Sequence, residues 1–299
     1  MSLTSDPPID KATGPHTTVP TATGHDALTV VPVRHPWRWV AVAATAVVLA
    51  QFLHGLITNP GWEWDVFAQF FTAGTILKAV WVTLQLTLYG TVLGFALGIV
   101  LAFMRLSGSR FLRAVAYAYI WAFRSIPLIV QLLFWFNLAY LYKELRFGIP
   151  FGPGFFSFDT MNLVGAMSAA VLGLALHQAA YAAEIVRGGV LAVDDGQSEA
   201  AAALGIPRHR QLRRIVLPQA MRSILPNAAN EIISLFKGTS IVSVMAIGEL
   251  FYQVQVVYGR NGRVVPLLMV ATVWYILLTS VLSVLQHYVE RHYAKGAAR

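Results

Sequence analysis

A polar stripe runs along one apolar segment of this sequence, at about residues 223–248. Asn227, Asn230, Ser234 and Lys237 recur at three- and four-residue steps, so they share one face of a helix. Amide, hydroxyl and ammonium groups at this spacing can hydrogen-bond a polar solute or a neighbouring helix, and neither task needs covalent chemistry. In lipid such groups are costly, and they tend to face a bundle interior or a wet path. The residues alone leave both alternatives open, a translocation path and interhelical hydrogen bonds.

Other polar side chains within apolar segments are further candidates for the same path. They are Glu231, Thr239, Gln131, Gln178 and Tyr181. Glu184 lies three residues before Arg187, so an ion pair competes with any contact to a solute. Arg124 stands close to Pro127, where a structural role is expected. A single histidine such as His177 is expected to be packed and hydrogen-bonded.

The sequence offers no motif for covalent catalysis or for binding a metal. It has no cysteine, which excludes disulfides, zinc thiolates and a cysteine nucleophile. It has no G-x-x-x-x-G-K-[ST] phosphate loop, so this chain is not expected to hydrolyse ATP. His287 and His292 flank Glu290, but their spacing puts them on different helix faces. We therefore expect no catalytic residue, no metal and no cofactor bound by this chain.

The composition is that of an all-α polytopic membrane protein. Apolar residues make up 57% and charged residues 12% of the 299, and the mean hydropathy is +0.60. Soluble domains carry about 25% charged residues, so a soluble fold is improbable on composition. Apolar segments are predicted at about 39–57, 77–104, 126–142, 162–187, 223–248 and 265–289. The third is what remains of a longer run, 114–142, that Pro127 is expected to break.

The sequence also predicts one close contact between helices and two segments without regular structure. Gly90, Gly94 and Gly98 are spaced four apart, which predicts a face on which another helix can approach closely. Residues 1–35, rich in Thr, Pro and Ala, are predicted to be a disordered tail, and 143–159 is predicted to be a loop.

The distribution of basic residues predicts the orientation in the membrane. One set of alternating connections holds most of the arginines: Arg34, Arg38, Arg105, Arg110, Arg113, Arg187, Arg208, Arg210, Arg213, Arg214, Arg222, Arg291 and Arg299. Cytoplasmic loops carry such an excess, so both termini and the stretch 194–218 are predicted to be cytoplasmic.

The stretch 194–218 is polar and basic, and it is predicted to form two short helices. Aspartates at 194 and 195 are good N-caps for the alanine run that follows, Gly205 can stop that helix, and Pro207 suits the first position of a second helix. A helix face of small residues can lie in a groove on a partner. The alternative is a helix pair resting on anionic lipid, which explains the arginines but not the alanine run.

The same stretch carries a long motif. Glu199-Ala200-Ala201, Gly205, Ile215 and Leu217-Pro218 match the pattern E-A-A-x3-G-x9-I-x-L-P at every specified position. This resembles the EAA motif of ABC importer permeases. The segments 183–189, 123–128 and 234–243 resemble those of permeases for polar amino acids, although Gly238 stands where that family often has an acidic or amide residue.

The resemblance implies a five-helix permease core over residues 72–292, to which this chain adds an N-terminal helix. It implies that 194–218 is a coupling loop that docks on a cytoplasmic ABC ATPase, with Glu199 as the polar contact and Gly205 as the turn. ATP and Mg would then be bound by the partner ATPase. It also implies an extracytoplasmic substrate-binding protein, a second permease copy in a homodimer or heterodimer, an amino acid substrate, polar or charged, and no nucleic acid.

The predicted organisation is therefore a tail at 1–35, a first helix with its external connection at 36–71, the permease domain at 72–292 and a tail at 293–299. The predicted location is the cell inner membrane. A competing hypothesis is an ion-coupled secondary transporter that uses Glu231, His177 and Lys237. Such transporters usually contain internal repeats, and none is evident here.

Overall fold

The structure is a computed structural model, and it describes residues 36–149, 152, 154–159 and 165–294. The predicted disordered tail at 1–35 lies outside these residues. The chain divides into two compact units, on either side of the Asn59–Pro60 bond. Helix α1, Pro36–Thr58, belongs to the first unit. It is apolar all round and none of its described side chains is buried, as expected of a lipid-facing span.

Over its described residues, the second unit consists of helices and their connections, with one hairpin. Its elements are a 3-10 turn at Pro60–Trp62, α2 at Trp64–Phe71, α3 at Gly74–Leu106, α4 at Arg110–Ser125, α5 at Leu128–Phe136, α6 at Leu138–Leu141, β1 at Glu144–Gly148, β2 at Gly154–Asp159, α7 at Ala166–Leu191, α8 at Asp195–Ala203, α9 at Arg208–Gln211, a π turn at Leu212–Val216, α10 at Leu217–Gly238, a 3-10 segment at Thr239–Met245, α11 at Leu250–Asn261 and α12 at Val264–Ala294.

The number of possible membrane spans agrees with the six apolar segments of the sequence. Over the described residues, α1, α3, α7 and α12 are each long and apolar enough to cross a membrane. Two bent pairs, α4 with α5 and the run 208–245 with α11, bring the number to six if each pair is one span.

Helices α3 and α7 pack closely through the predicted glycine stripe. A methyl group on Gly94 would lie 2.5 Å from Gln178 Cβ, and one on Gly98 would lie 2.6 Å from Ala182 Cβ. Gly90 faces Leu174 in the same way, at 3.2 Å. The prediction of a close helix–helix approach is confirmed, because each glycine faces one turn of α7.

The break near Pro127 is confirmed, but the single span predicted at 126–142 is wrong. Helices α4 and α5 meet at 103°. Pro127 cannot donate a backbone hydrogen bond, and Gln131 Nε2 donates instead to the carbonyl oxygens of Phe123 and Ile126, at 2.8 and 2.7 Å. Helix α5 ends after nine residues at Phe136, which is too short to cross a bilayer alone.

The predicted loop at 143–159 contains an antiparallel hairpin. Strands β1 and β2 pair Glu144 with Asp159 and Arg146 with Ser157. The Arg146 guanidinium donates to the Glu144 carboxylate at 3.1 Å on the polar side of the ladder. The composition of this segment, rich in glycine and phenylalanine, did not predict these two strands.

The fifth apolar segment is also bent, and the continuous span predicted at 223–248 is wrong. Helix α10 gives way to 3-10 geometry at Thr239, and Ala246 adopts a left-handed conformation, with φ 56°. Glu249 then caps α11, since its carboxylate accepts from the backbone N–H groups of Phe251 and Tyr252, at 3.0 and 2.6 Å. The resulting bend is 46°.

Candidate functional site

The stretch 194–218 begins with a compact, capped helix. The Asp194 carboxylate accepts from the Gly196 N–H at 2.8 Å, which confirms the predicted N-cap of α8. At the other end, Gly205 has φ +69° and donates to Ala202 O at 3.0 Å. Ile206 N donates to Ala201 O at 3.0 Å, which completes a Schellman motif. Helix α8 is therefore closed by hydrogen bonds at both ends.

The second half of the stretch differs from the prediction. Pro207 has ψ 140° and stands before the first helical position, which is Arg208. The helix that begins there is not short, because it continues through the π turn into α10. Pro218 explains the π turn, since a proline ring clashes with the carbonyl of the residue four positions earlier, here Arg214. The wider turn accommodates that carbonyl.

The motif residues separate into exposed and internal groups. Glu199, Ala200, Gly205 and Pro218 are exposed, Ala201 is buried, and Ile215 and Leu217 are partly buried. The Gln219 amide donates to Ile215 O at 3.0 Å and lies 3.5 Å from Gln197 Oε1 on α8. The Gln197–Gln219 contact therefore links α8 to the start of α10, and the exposed motif residues remain available to a partner.

The polar stripe of α10 lies on the exposed side of that helix. Asn227, Asn230, Ser234 and Lys237 are all exposed. The other exposed residues of α10 are Pro218 and Arg222, and its large apolar side chains are buried or partly buried. An exposed polar face within an apolar segment requires water or another protein surface beside it.

Two members of the stripe already have partners within the chain. Asn227 Nδ2 donates to Ser223 O at 2.8 Å, and Asn230 Oδ1 accepts from Gln286 Nε2 of α12 at 3.1 Å. The same face is therefore exposed and makes one interhelical hydrogen bond, and the translocation path stays a prediction.

A cavity of about 350 Å³ opens between α4, α7 and α10. Its polar lining consists of Arg124, Tyr181, Glu184, Ser223, Asn227 and Glu231. The Arg124 guanidinium lies 5.3 Å from the centre of the Tyr181 ring, a cation–π distance. The cavity therefore presents a cation and carboxylates within a small volume.

The ion pair expected at Glu184 is present. Its carboxylate lies 2.7 Å from Arg187 Nη2 and 3.8 Å from Arg105 Nε. The contribution of Arg105, which lies on α3, could not be predicted from sequence spacing. Since Glu184 has two cationic neighbours, Glu231 is the cavity carboxylate for which the described residues show no ion pair.

The remaining candidates do not join this cavity. Gln131 braces the α4–α5 break, and Thr239 Oγ1 donates to Phe236 O at 2.6 Å in the protein core. Gln178 is fully buried against Gly94. Arg124, for which a structural role is predicted, lines the cavity, and so does Glu184, for which an ion pair and a contact with a solute are both left open by the sequence. Arg124 reaches the Tyr181 ring from another helix, a contact that periodicity within one helix does not predict.

Comparison with known proteins is consistent with this architecture. Residues 94–295 match the family described as binding-protein-dependent transport system inner membrane component. An arginine transport system permease protein of Corynebacterium glutamicum is 41% identical over 90% of this chain and 84% of its own length. A nopaline transport system permease protein of Agrobacterium fabrum is 36% identical over 70% of this chain and 83% of its own.

A solved structure is similar as well. The crystal structure of an amino acid ABC transporter with histidines contains a chain that is 32% identical, with a TM-score of 0.62 over 73% of this chain and 94% of that one. The sequence resemblance, the helical architecture and the match over residues 94–295 agree, and the chain belongs to the binding-protein-dependent transport system inner membrane component family.

Proposed function

We propose that this multi-pass membrane protein is the permease subunit of an ATP-driven ABC importer for polar or charged amino acids. The observation that carries the proposal is the exposed polar stripe of α10 beside the cavity. The exposed side chains of α10 are polar or charged apart from Pro218, and such a face is costly in contact with lipid. It therefore borders a water-filled path, a second permease copy, or both.

The cavity offers partners for both charges of an amino acid. Arg124 suits a carboxylate, and Glu231 suits an ammonium or another cationic group. Asn227 and Ser223 supply neutral hydrogen-bonding groups between them. The relatives named for arginine and nopaline support a cargo of this kind, and arginine is the first substrate to test.

Coupling to ATP is proposed to occur through α8. Its exposed face bears Glu199 and Ala200, and its two capped ends make it a rigid element. In our proposal α8 docks in a cleft of a cytoplasmic ATPase subunit, which binds ATP and Mg. Closure of two such subunits would then move α10 through its link to α8 at Gln219. The termini are cytoplasmic in this arrangement, and a substrate-binding protein delivers the amino acid from outside.

Reconstitution tests the proposal directly. The permease is placed in vesicles with its cognate ATPase and binding protein, and uptake of labelled arginine is measured with and without ATP. We expect uptake only when all components and ATP are present. Uptake driven by an ion gradient in the absence of the ATPase would instead establish the secondary transporter hypothesis.

A further inference from the structure

Four basic side chains gather beyond the end of α8, and the proposed function does not use them. His209, Arg210, Arg213 and Arg214 line one surface cavity of about 330 Å³. All four are exposed. We refer to these four residues as the basic cluster.

The π turn contributes to the gathering of these side chains. His209 and Arg210 lie in α9, whereas Arg213 and Arg214 lie in the π turn. Residues four apart share a face of an α-helix, and a π turn also aligns residues five apart. His209 is therefore aligned with both Arg213 and Arg214, and Arg210 with Arg214.

The described part of the chain does not compensate this charge. Its ion pairs are Arg105–Glu184, Arg146–Glu144, Arg187–Glu184 and Arg263–Glu63, and none includes a member of the basic cluster. Like charges at this helical spacing repel one another. The cluster thus offers an uncompensated positive surface that an anionic partner would stabilise.

The surroundings of the cluster do not suit a lipid headgroup layer. A helix that lies on a membrane inserts large apolar side chains into it, and none in α9 or the π turn is exposed, although Leu204 is exposed at the end of α8. Arg214 also lies about 12 Å of helix rise before Arg222, the last basic residue ahead of the polar stripe. The cluster therefore lies about two helical turns before Arg222 along the same helix.

The position of the cluster favours a protein partner. It begins four residues after Gly205, the turn that ends α8, and the Gln197–Gln219 contact holds α8 against the same continuous helix. We infer that the basic cluster is a second contact with the ATPase subunit and that it faces an acidic surface there. This inference rests on the proposed docking of α8, and it adds the charge of the partner surface.

Charge reversal within the complete complex tests the inference. The affinity of the detergent-solubilised permease for its cognate ATPase subunit is measured over a range of ionic strength, for the wild type and for Arg213→Glu/Arg214→Glu. We expect reversal to weaken binding by about tenfold or more and to flatten its salt dependence, because charge repulsion replaces attraction. The affinity of the neutral variant Arg213→Gln/Arg214→Gln should lie between those of the wild type and the reversal variant.

The control is Arg110→Glu/Arg113→Glu, which makes the same change in charge on exposed residues of α4. It should bind the ATPase within about twofold of the wild type, as expected of charges outside an interface. Unchanged thermal unfolding temperatures would show that each variant is folded.

Three results would overturn the inference. Wild-type affinity of the reversal variant at every ionic strength would overturn it while leaving the docking of α8 intact. Loss of binding to phosphatidylglycerol vesicles, with ATPase affinity retained, would make the cluster a lipid contact. A wild-type permease that does not bind the ATPase would overturn the coupling proposal and this inference together.

Discussion

Gly94 of α3 faces Gln178 of α7 so closely that an added methyl group would lie 2.5 Å from Gln178 Cβ. Ala175 O lies 3.1 Å from the same position, so both side chain and backbone limit the space. Neither can retreat easily, because Gln178 is fully buried. The contact defines how near α3 and α7 approach.

Gly94→Ala is therefore expected to destabilise the protein by about 1–3 kcal/mol, the usual cost of overpacking. Thermal unfolding of the purified protein, followed by tryptophan fluorescence, measures the effect. Gly74→Ala is the matched control on α3, since a Cβ there would meet no atom within 4 Å. Equal unfolding temperatures for the two variants would contradict the packing described here.

Glu199→Lys is expected to uncouple ATP hydrolysis from transport. Glu199 is exposed on α8, at the surface proposed to enter the ATPase cleft, and reversal of its charge would disturb that contact. ATP-driven uptake of arginine and ATPase activity are measured together in vesicles. Glu144→Lys, on strand β1, serves as the control for an exposed carboxylate outside the loop. Unchanged uptake by the Glu199 variant would remove its proposed role.

Gly205 allows a more selective test of the same loop. Its φ of +69° costs a side chain about 1 kcal/mol or more, and asparagine tolerates this conformation better than alanine. Gly205→Ala should therefore weaken ATPase binding more than Gly205→Asn does, with both measured as affinities of the solubilised complex. Equal affinities would mean that the shape of this turn does not matter for docking.

The features that the sequence predicted correctly depend on local chemistry. Asp194 is an N-cap because of its own carboxylate, and Gly205 ends α8 because it accepts a left-handed conformation. Pro127 breaks the chain because its ring removes a donor. The glycine stripe follows from helical period alone. Each of these requires only a few neighbouring residues.

The features that the sequence did not predict depend on distant residues. Tyr275 of α12 donates a hydrogen bond at 3.3 Å to the Glu249 carboxylate, which caps α11 after the break in the fifth apolar segment. The cavity brings Arg124 of α4 to Glu231 of α10, more than a hundred residues away in sequence. Periodicity within one helix carries no information about such partners, so the break appeared as a continuous span.

The buried Glu249 predicts a stability effect. Glu249→Ala removes the acceptor for two backbone N–H groups and leaves them unpaired, at an expected cost of about 1–3 kcal/mol. Glu249→Gln keeps one acceptor oxygen and should cost less. The thermal unfolding temperatures of the two variants show whether alanine costs more stability than glutamine. If alanine were tolerated as well as glutamine, the cap would not be what maintains the start of α11.

The last prediction concerns recognition of the cargo. Glu231 lines the cavity opposite the cation of Arg124, and it makes no ion pair within the described residues. If it receives the cationic end of an amino acid, Glu231→Gln should raise the KM for arginine uptake by about tenfold, since a charged hydrogen bond becomes a neutral one. The isosteric amide preserves volume, so packing changes little. Glu290→Gln on α12 is the control, because its carboxylate lies outside the cavity and accepts from Gln286. A KM unchanged by Glu231→Gln, with the ATPase bound normally, would exclude this carboxylate from the path while leaving the coupling loop untouched.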